Sequence, residues 1–330
     1  WSKNALDSYT YLNVLDETID VNWPLAPAQL SDADRKHPRL FEVQPMTERQ
    51  TVIVGATGQV AHALRVQLPE AMVLGRPDLD LTDPVSLEQV DWSQVGLIIN
   101  AAAYTAVDAA ETEQGRRECW DVNVTGLARL VEQARRFGIP MVHISSDYVF
   151  DGTAEVHFED EPPSPLGVYG QTKAAGEALV STLAKHWIVR TSWAVGAGDN
   201  FVRTMARLAD TGVYPSVVDD QWGRLTFAPD LAAAIIHLVT SAAPGIYNVS
   251  NGGPTLSWAE IARKIFELRG RSPGDVAATT TAAFSAGKLT APRPSHSTLD
   301  LTRLASTGFF PVDAQYRLAD YLRELPASNG

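Results

Sequence analysis

The sequence predicts an α/β protein built on a doubly wound parallel sheet, with a smaller mixed α/β lobe closing over a ligand. Three observations predict it. From residue 51 onward short apolar runs alternate with longer stretches of helical periodicity, the runs are continuously apolar, and the first runs into a glycine turn, Gly55-Ala56-Thr57-Gly58. A continuously apolar strand is buried on both faces, and that requires helices on both sides of a parallel sheet.

Taken in order, the strand runs are TVIV (51–54), MVL (72–74), LIIN (97–100), MVHIS (141–145) and WIVRT (187–191). Between the third and fourth, Val122, Leu127, Leu130, Val131 and Ala134 fall at helical spacing, and Gly138 with Pro140 stops that helix. Beyond residue 192 the pattern loosens. A loop and helix are predicted over 192–212, a strand and loop over 215–226, and a helix over 229–239 with Pro229 in its first turn. A strand over 245–250 and a helix opened by the capping pair Ser257 and Glu260 follow. AATTTAAFSAG (277–287) is of low complexity and predicts a mobile loop. These elements assign the sheet domain mainly to 49–191 and 229–249, and the lobe mainly to 192–228 and 250–310.

Composition bounds the function. The 330 residues are 45% hydrophobic and 20% charged, an ordinary globular balance. A net charge of -12 argues against nucleic acid, whose phosphates demand clustered cations. The single cysteine, Cys119, cannot form an intrachain disulfide and reads as a small buried hydrophobe in a reducing cytoplasm. No apolar run approaches the ~20 residues that cross a bilayer. The first residues also lack the basic-then-apolar pattern of a leader. A cytoplasmic monomer or homodimer is expected, with no metal, membrane or nucleic-acid partner.

Three constellations carry chemistry. In the first, Gly55, Thr57, Gly58, Gln59 and Val60 form a turn between strand and helix, where backbone N–H groups and the helix dipole suit a pyrophosphate. Ala61 stands where a third glycine would tighten helix packing. Arg76 after the second strand can reach an adenosine 2′-phosphate, or be a solvated loop charge; Asp80 and Leu81 follow it. In the second, Tyr169 and Lys173 lie four residues apart and share a helix face. An ammonium near a phenol would lower the phenol's pKa toward neutrality and make it a better proton donor. The third is HISSDYVFDG, which ends a strand in hydroxyls and a carboxylate, with Ser146 placed to hydrogen-bond a carbonyl. Ala101, Ala102 and Ala103, followed by Tyr104, let a dinucleotide lie against the neighbouring strand end.

These residues resemble the extended short-chain dehydrogenase/reductase family and, more narrowly, the dTDP-4-dehydrorhamnose reductases. The narrower resemblance rests on NAAAYTAVDAAE, SSDYVFDG, PLGVYGQTKAAGE, VRTSWAVGAGDNFVRTM, VVDDQWGRLT, IYNVSNGG with SWAEIA, and APRPSHSTLD. It implies a Rossmann-like fold and reduction of the 4-keto group of dTDP-4-dehydro-L-rhamnose by NADPH or NADH. By position it implies Tyr169 as general acid, Lys173 as its modulator and ribose ligand, and Ser146 as carbonyl anchor. Asp147, Tyr148, Trp193 and Asn200 match positions near the sugar or nicotinamide, and Arg293 is a candidate for the diphosphate. The family usually has Thr at Ser146 and Gly at Ala61, and Leu225 with Phe227 departs from the expected lobe loop. A regulatory subunit that has lost turnover, and a nucleotide-sugar epimerase or dehydratase, remain alternatives of the same fold. The intact Ser146, Tyr169 and Lys173 weigh against the former, and the lack of a second acid after Asp147 against the latter.

Residues 1–48 precede all of this. YTYLNVLDETIDVNWPL (9–25) alternates enough for one or two short strands, Ser31 is placed to cap a helical turn, and His37 reads as a surface histidine. IDVNWP and LSDAD are similar to the C-terminal end of dTDP-4-dehydrorhamnose 3,5-epimerases. With Trp1 rather than methionine at the start, this resemblance implies the remnant of an upstream epimerase domain fused to the reductase.

Overall fold

The computed structural model describes residues 49–326, together with Ser31, Asp32 and Lys36. The chain divides into two compact units, residues 1–48 and 49–330. The strands expected over 9–25 and His37 lie outside the described residues. Among the described residues no helix is long and apolar enough to cross a membrane.

In the second unit the five predicted runs form strands β1 (Gln50–Val54), β2 (Met72–Leu74), β3 (Val95–Asn100), β4 (Met141–Ser146) and β5 (His186–Thr191), and a sixth, β6 (Gly245–Asn248), joins them. Their order is β6-β5-β4-β3-β1-β2, every pair parallel. The larger helices are α1 (Gln59–Gln67), α2 (Glu113–Trp120), α3 (Leu127–Phe137), α4 (Val168–Val180), α5 (Phe201–Asp210), α6 (Ala228–Ser241), α7 (Trp258–Leu268) and α8 (Ala314–Glu324).

Alternation along each strand divides the core. Val52, Ile98, Met141 and Ile188 face one cluster, with Leu127, Leu130 and Val131 of α3 and Val180 of α4. Their neighbours Ile53, Ile99, Val142 and Val189 face the other, with Leu64 of α1 and Leu231 and Ile235 of α6. Both sets are buried, so the strands read as unbroken apolar runs. Each such aliphatic side chain contributes about 1.5–3 kcal/mol on burial. This is the expected Rossmann-like sheet. Its order reverses between β1 and β3, which opens a crevice beyond their carboxyl ends.

Three small strand pairs form the lobe: Ala194–Val195 with Thr226–Phe227, Ser216–Val218 with Ala277–Thr279, and Trp222–Gly223 with Leu256–Ser257. Val202 and Met205 of α5, Ile265 and Phe266 of α7, and Leu318 and Leu322 of α8 enclose its core. Leu225 and Phe227, the unexpected residues of the lobe loop, are buried in that core.

Three departures have physical causes. The stretch predicted as a mobile loop forms strand Ala277–Thr279 and helix Thr281–Ser285, because its backbone finds partners: Ala277 N–H donates to Pro215 O, and the Asp220 carboxylate accepts from Thr281 N–H. Helix Thr302–Ser306 packs Leu304 on the main sheet instead of the lobe, and α8, beyond the predicted lobe boundary, packs within it. Between α2 and α3 the chain forms a π-helical turn, Asp121–Gly126. The extra residue in that turn rotates Val122 off the core stripe and into the cleft, while Leu127, Leu130, Val131 and Ala134 keep the predicted face.

Candidate active site

A cleft of about 960 Å³ opens at the strand-order reversal and runs toward the lobe. At its sheet end β1 gives way to Gly55, whose φ of +105° suits glycine. A Cβ there would stand 2.6 Å from the Ala102 nitrogen, so only glycine lets the two strand ends approach. Gly55 N–H donates to Leu74 O at 2.9 Å and Gly58 N–H to Gly55 O at 3.1 Å, which closes the turn. No side chain caps α1, leaving its first amides for a ligand, and the Gln59 Oε1 atom is buried without a partner. Ala61 is fully buried among the residues that join α1 to the sheet, so its methyl fills the place of a third glycine. Thr57, Val60, Arg76, Asp80, Leu81, Ala101, Ala102 and Ala103 line the same cleft. A small-residue wall, free helix amides and an orphaned amide oxygen fit a dinucleotide.

The π turn positions this wall. Asn123, within it, accepts from Tyr104 N–H at 2.8 Å and donates to Tyr104 O at 3.2 Å and to Thr172 Oγ1 at 3.0 Å. One buried amide thus joins the loop after β3 to α4, which carries the predicted acid. Tyr104 itself does not line the cleft: its ring packs against Ala110, Cys119 and Val168, and the backbone is what Asn123 holds.

Ser146, Asp147, Tyr148, Tyr169, Lys173 and Trp193 meet in this cleft. Ser146 ends β4, donates its hydroxyl to Asp147 Oδ1 at 3.0 Å and accepts from Tyr148 N–H at 3.2 Å. Tyr148 and Tyr169 pack edge to face, ring centres 5.6 Å apart. Lys173 is buried; its Nζ donates to Ile144 O at 2.6 Å and lies 3.2 Å from His143 Nε2. Trp193 holds a non-glycine φ of +45° and stacks on Trp258 with centroids 3.7 Å apart. Both indoles line the lobe end, and Gly223 makes room, since a Cβ there would meet the Trp193 ring at 2.9 Å.

Electrostatics correct one expectation. The phenol of Tyr169 does not move toward neutrality but well above its ordinary value of 10, because burial and then the charge of Asp147 disfavour its anion, with the Ser146 hydroxyl opposing. Lys173 donates to Ile144 O and has His143 Nε2 as its other polar neighbour, and burial brings its own pKa down to about 8. Asp147 is pushed up to about 6 by burial, a rise that the hydroxyls of Ser297 and Ser146 partly offset. Its Oδ2 atom is buried without a hydrogen bond. Tyr148 rises to about 12, burial again coming first.

Two predicted ligands are otherwise engaged. Asn200 caps α5 by accepting from Arg203 N–H, and its amide donates to Gly196 O, Gly198 O and the Tyr321 hydroxyl. It shapes the loop of Gly198 and Asp199 at the cleft edge rather than lining the cleft. Arg293 donates to Asp108 and Ala291 O and contacts the Tyr148 hydroxyl, so its guanidinium secures the rim instead of facing the cavity. Asp80 accepts from Thr82 N–H and Oγ1, which commits its carboxylate to a turn and lowers its pKa. Arg76 stands exposed at the rim. Sequence reasoning missed His143, Asn100, Asn123 and Trp258. The first two sit in quoted strand runs, where a polar residue amid apolar ones was the available signal.

The family model described as the RmlD substrate binding domain matches residues 49–326. A dTDP-4-dehydrorhamnose reductase of Aggregatibacter actinomycetemcomitans is 38% identical over 288 residues, covering 81% of this chain and 96% of the relative. A dTDP-4-keto-6-deoxy-D-glucose reductase of Streptomyces niveus is 37% identical over 276 residues, covering 81% and 93%. Among solved structures, the dTDP-4-dehydrorhamnose reductase of Bacillus anthracis in complex with NADP gives a TM-score of 0.76 at 34% identity, covering 84% of this chain and 99% of that one. Sheet, lobe and cleft all fall within the matched residues, and the chain belongs to the RmlD substrate binding domain family.

Proposed function

We propose that this protein reduces the 4-keto group of dTDP-4-dehydro-L-rhamnose to give dTDP-L-rhamnose, using NADPH or NADH. One observation carries the reading: Ser146, Tyr169 and Lys173 converge in the cleft that also holds the glycine turn and the alanine wall. A bound reduced nicotinamide supplies the hydride that the keto carbon gains. The Ser146 hydroxyl, now on Asp147, turns to the keto oxygen and orients it. Tyr169, kept protonated by its buried setting, gives that oxygen its proton, so the C=O bond becomes CH–OH. Lys173 holds the ribose and offsets charge left on the phenolate, while Asp147, Tyr148 and Trp193 meet the sugar. Arg76 at the end of β2 favours a 2′-phosphate and hence NADPH. Asn200 and Arg293 act through the loop and rim they fix.

The relative named for a different 4-keto sugar, at 37% identity, favours a second substrate reading within the same chemistry. Turnover of dTDP-4-dehydro-L-rhamnose and dTDP-4-keto-6-deoxy-D-glucose, followed by loss of reduced-nicotinamide absorbance, separates the two. Folded protein that binds NADPH and turns over neither sugar would overturn the reading in favour of a regulatory one. Two further elements belong to the proposal. Buried Cys119, with no second cysteine in the chain, suits a cytoplasmic setting. The fusion to an upstream epimerase rests on the IDVNWP and LSDAD resemblance alone, and the native reading frame tests it.

A further inference from the structure

His143 is buried, lies beside the catalytic lysine, and has no role in the reduction as written. Its hydrogen bonds determine which ring nitrogen carries the proton. Ala102 N–H donates to Asn100 Oδ1 at 3.1 Å, which orients the Asn100 amide with its NH2 toward His143. Nδ2 of Asn100 lies 3.1 Å from His143 Nδ1, and an amide NH2 only donates, so Nδ1 must carry the lone pair. In a neutral ring the proton is then on Nε2, the atom 3.2 Å from Lys173 Nζ. An N–H aimed at an amine needs a lone pair on that amine. Neutral Lys173 supplies one, donating at the same time to Ile144 O; an ammonium sets donor against donor.

We propose that His143 is a positioning residue for Lys173: Asn100 and the Ala102 backbone lock it as the Nε2–H tautomer, so that it favours the neutral amine and sets the alkaline limit of the reduction. The surroundings agree. Burial and the neighbouring lysine hold His143 far below its ordinary pKa, so the ring stays neutral. Cys119 of α2 and Glu177 of α4 face Lys173 and oppose its loss of charge, but Glu177 is itself paired with Arg190 of β5 and accepts from Ser145. Asp147 lines the same cleft, Tyr169 precedes Lys173 by one turn, and Glu111 is spent on Val168 N–H at the start of α4. Gly176, whose added Cβ would lie 3.4 Å from His143 Nε2, leaves room for the ring.

The kinetic part rests on the reductase reading; the tautomer does not. In the full-length protein, 15N-labelled at histidine, long-range 1H–15N spectra at pH 7 to 9 should show His143 as the Nε2–H tautomer. An Nδ1–H or doubly protonated ring would overturn the proposal. In His143→Gln, the amide can present its oxygen to Lys173 and accept from an ammonium. The alkaline limb of kcat/KM, expected near pH 8 in the unaltered protein, should move up by half a pH unit or more, whatever the height of the plateau. An unmoved limb in a folded variant overturns it, and if that variant does not fold, the tautomer alone decides.

Discussion

Tyr169 and Asp147 show how a buried site trades stability for chemistry. A phenol pushed above its ordinary value remains protonated across the physiological range, so the donor is loaded when substrate arrives. Tyr169→Phe keeps the ring and its edge-on contact with Tyr148 but removes the proton. It is expected to lower kcat by roughly 10²–10⁴-fold while NADPH affinity, read by fluorescence titration, stays close to the parent's; turnover within tenfold of the parent would take the acid role from Tyr169. Asp147 carries a cost that can be measured. The residue is 3% exposed, and burial moves its carboxyl pKa from 3.8 to about 6 on folding. Between about pH 4 and 6 the folded protein therefore holds a proton that the unfolded chain has released, so stability falls as pH rises through that window and stays lower above it. The difference is worth on the order of 3 kcal/mol. Asp147→Asn, a neutral near-isostere, should melt above the parent at pH 8 and lose that advantage by pH 4, with substrate KM raised. Equal melting at both values would mean that water reaches the carboxylate.

At the scale of elements, α4 must lie close against the turn Asp147–Val149 for its tyrosine to meet Ser146. Gly170 permits this: a Cβ there would stand 2.1 Å from Tyr148 O. Gly170→Ala is expected to push the helix outward, costing about 1–3 kcal/mol in urea unfolding. It should also lower kcat, with cofactor binding through the distant glycine turn little changed; an unaltered kcat would show that the helix can shift without losing the acid. Elements of this kind were legible where one local rule governed them. The parallel strands read directly because burial on both faces leaves unbroken apolar runs, and the Ser257–Glu260 capping box formed as spaced. The rest depended on contacts distant in sequence. Arg293 is claimed by Asp108, 185 residues away, and Ala277–Thr279 is a strand because Ser216–Val218 pairs with it. A π turn adds one residue to a helix, and a lone glycine inside it, Gly126, does not distinguish it from an ordinary helical turn, so Val122 falls on a different face from the one its spacing predicts. Tyr169 and Lys173 were found by spacing, but spacing could not show that the lysine amine is engaged by Ile144 O and His143 Nε2.

For the molecule as a whole, the question is how much of the chain the reductase needs. Every residue placed in the cleft falls between Val54 and Trp258, and the three core clusters that hold it are built from residues 52–325. The boundary between the compact units falls at residue 49, where the family match also begins. A protein beginning at residue 49 therefore retains both faces of the sheet, the lobe and every cleft-lining group. It should fold cooperatively, with a melting temperature within a few degrees of the full chain, and keep kcat/KM for the keto sugar within about twofold. Pairing the two measurements makes the outcome informative. A truncated protein that folds but loses turnover would mean that residues 1–48 reach the substrate or order the lobe, and one that does not fold would make them part of the reductase's own core. Retention of both properties would show that the reductase does not need residues 1–48.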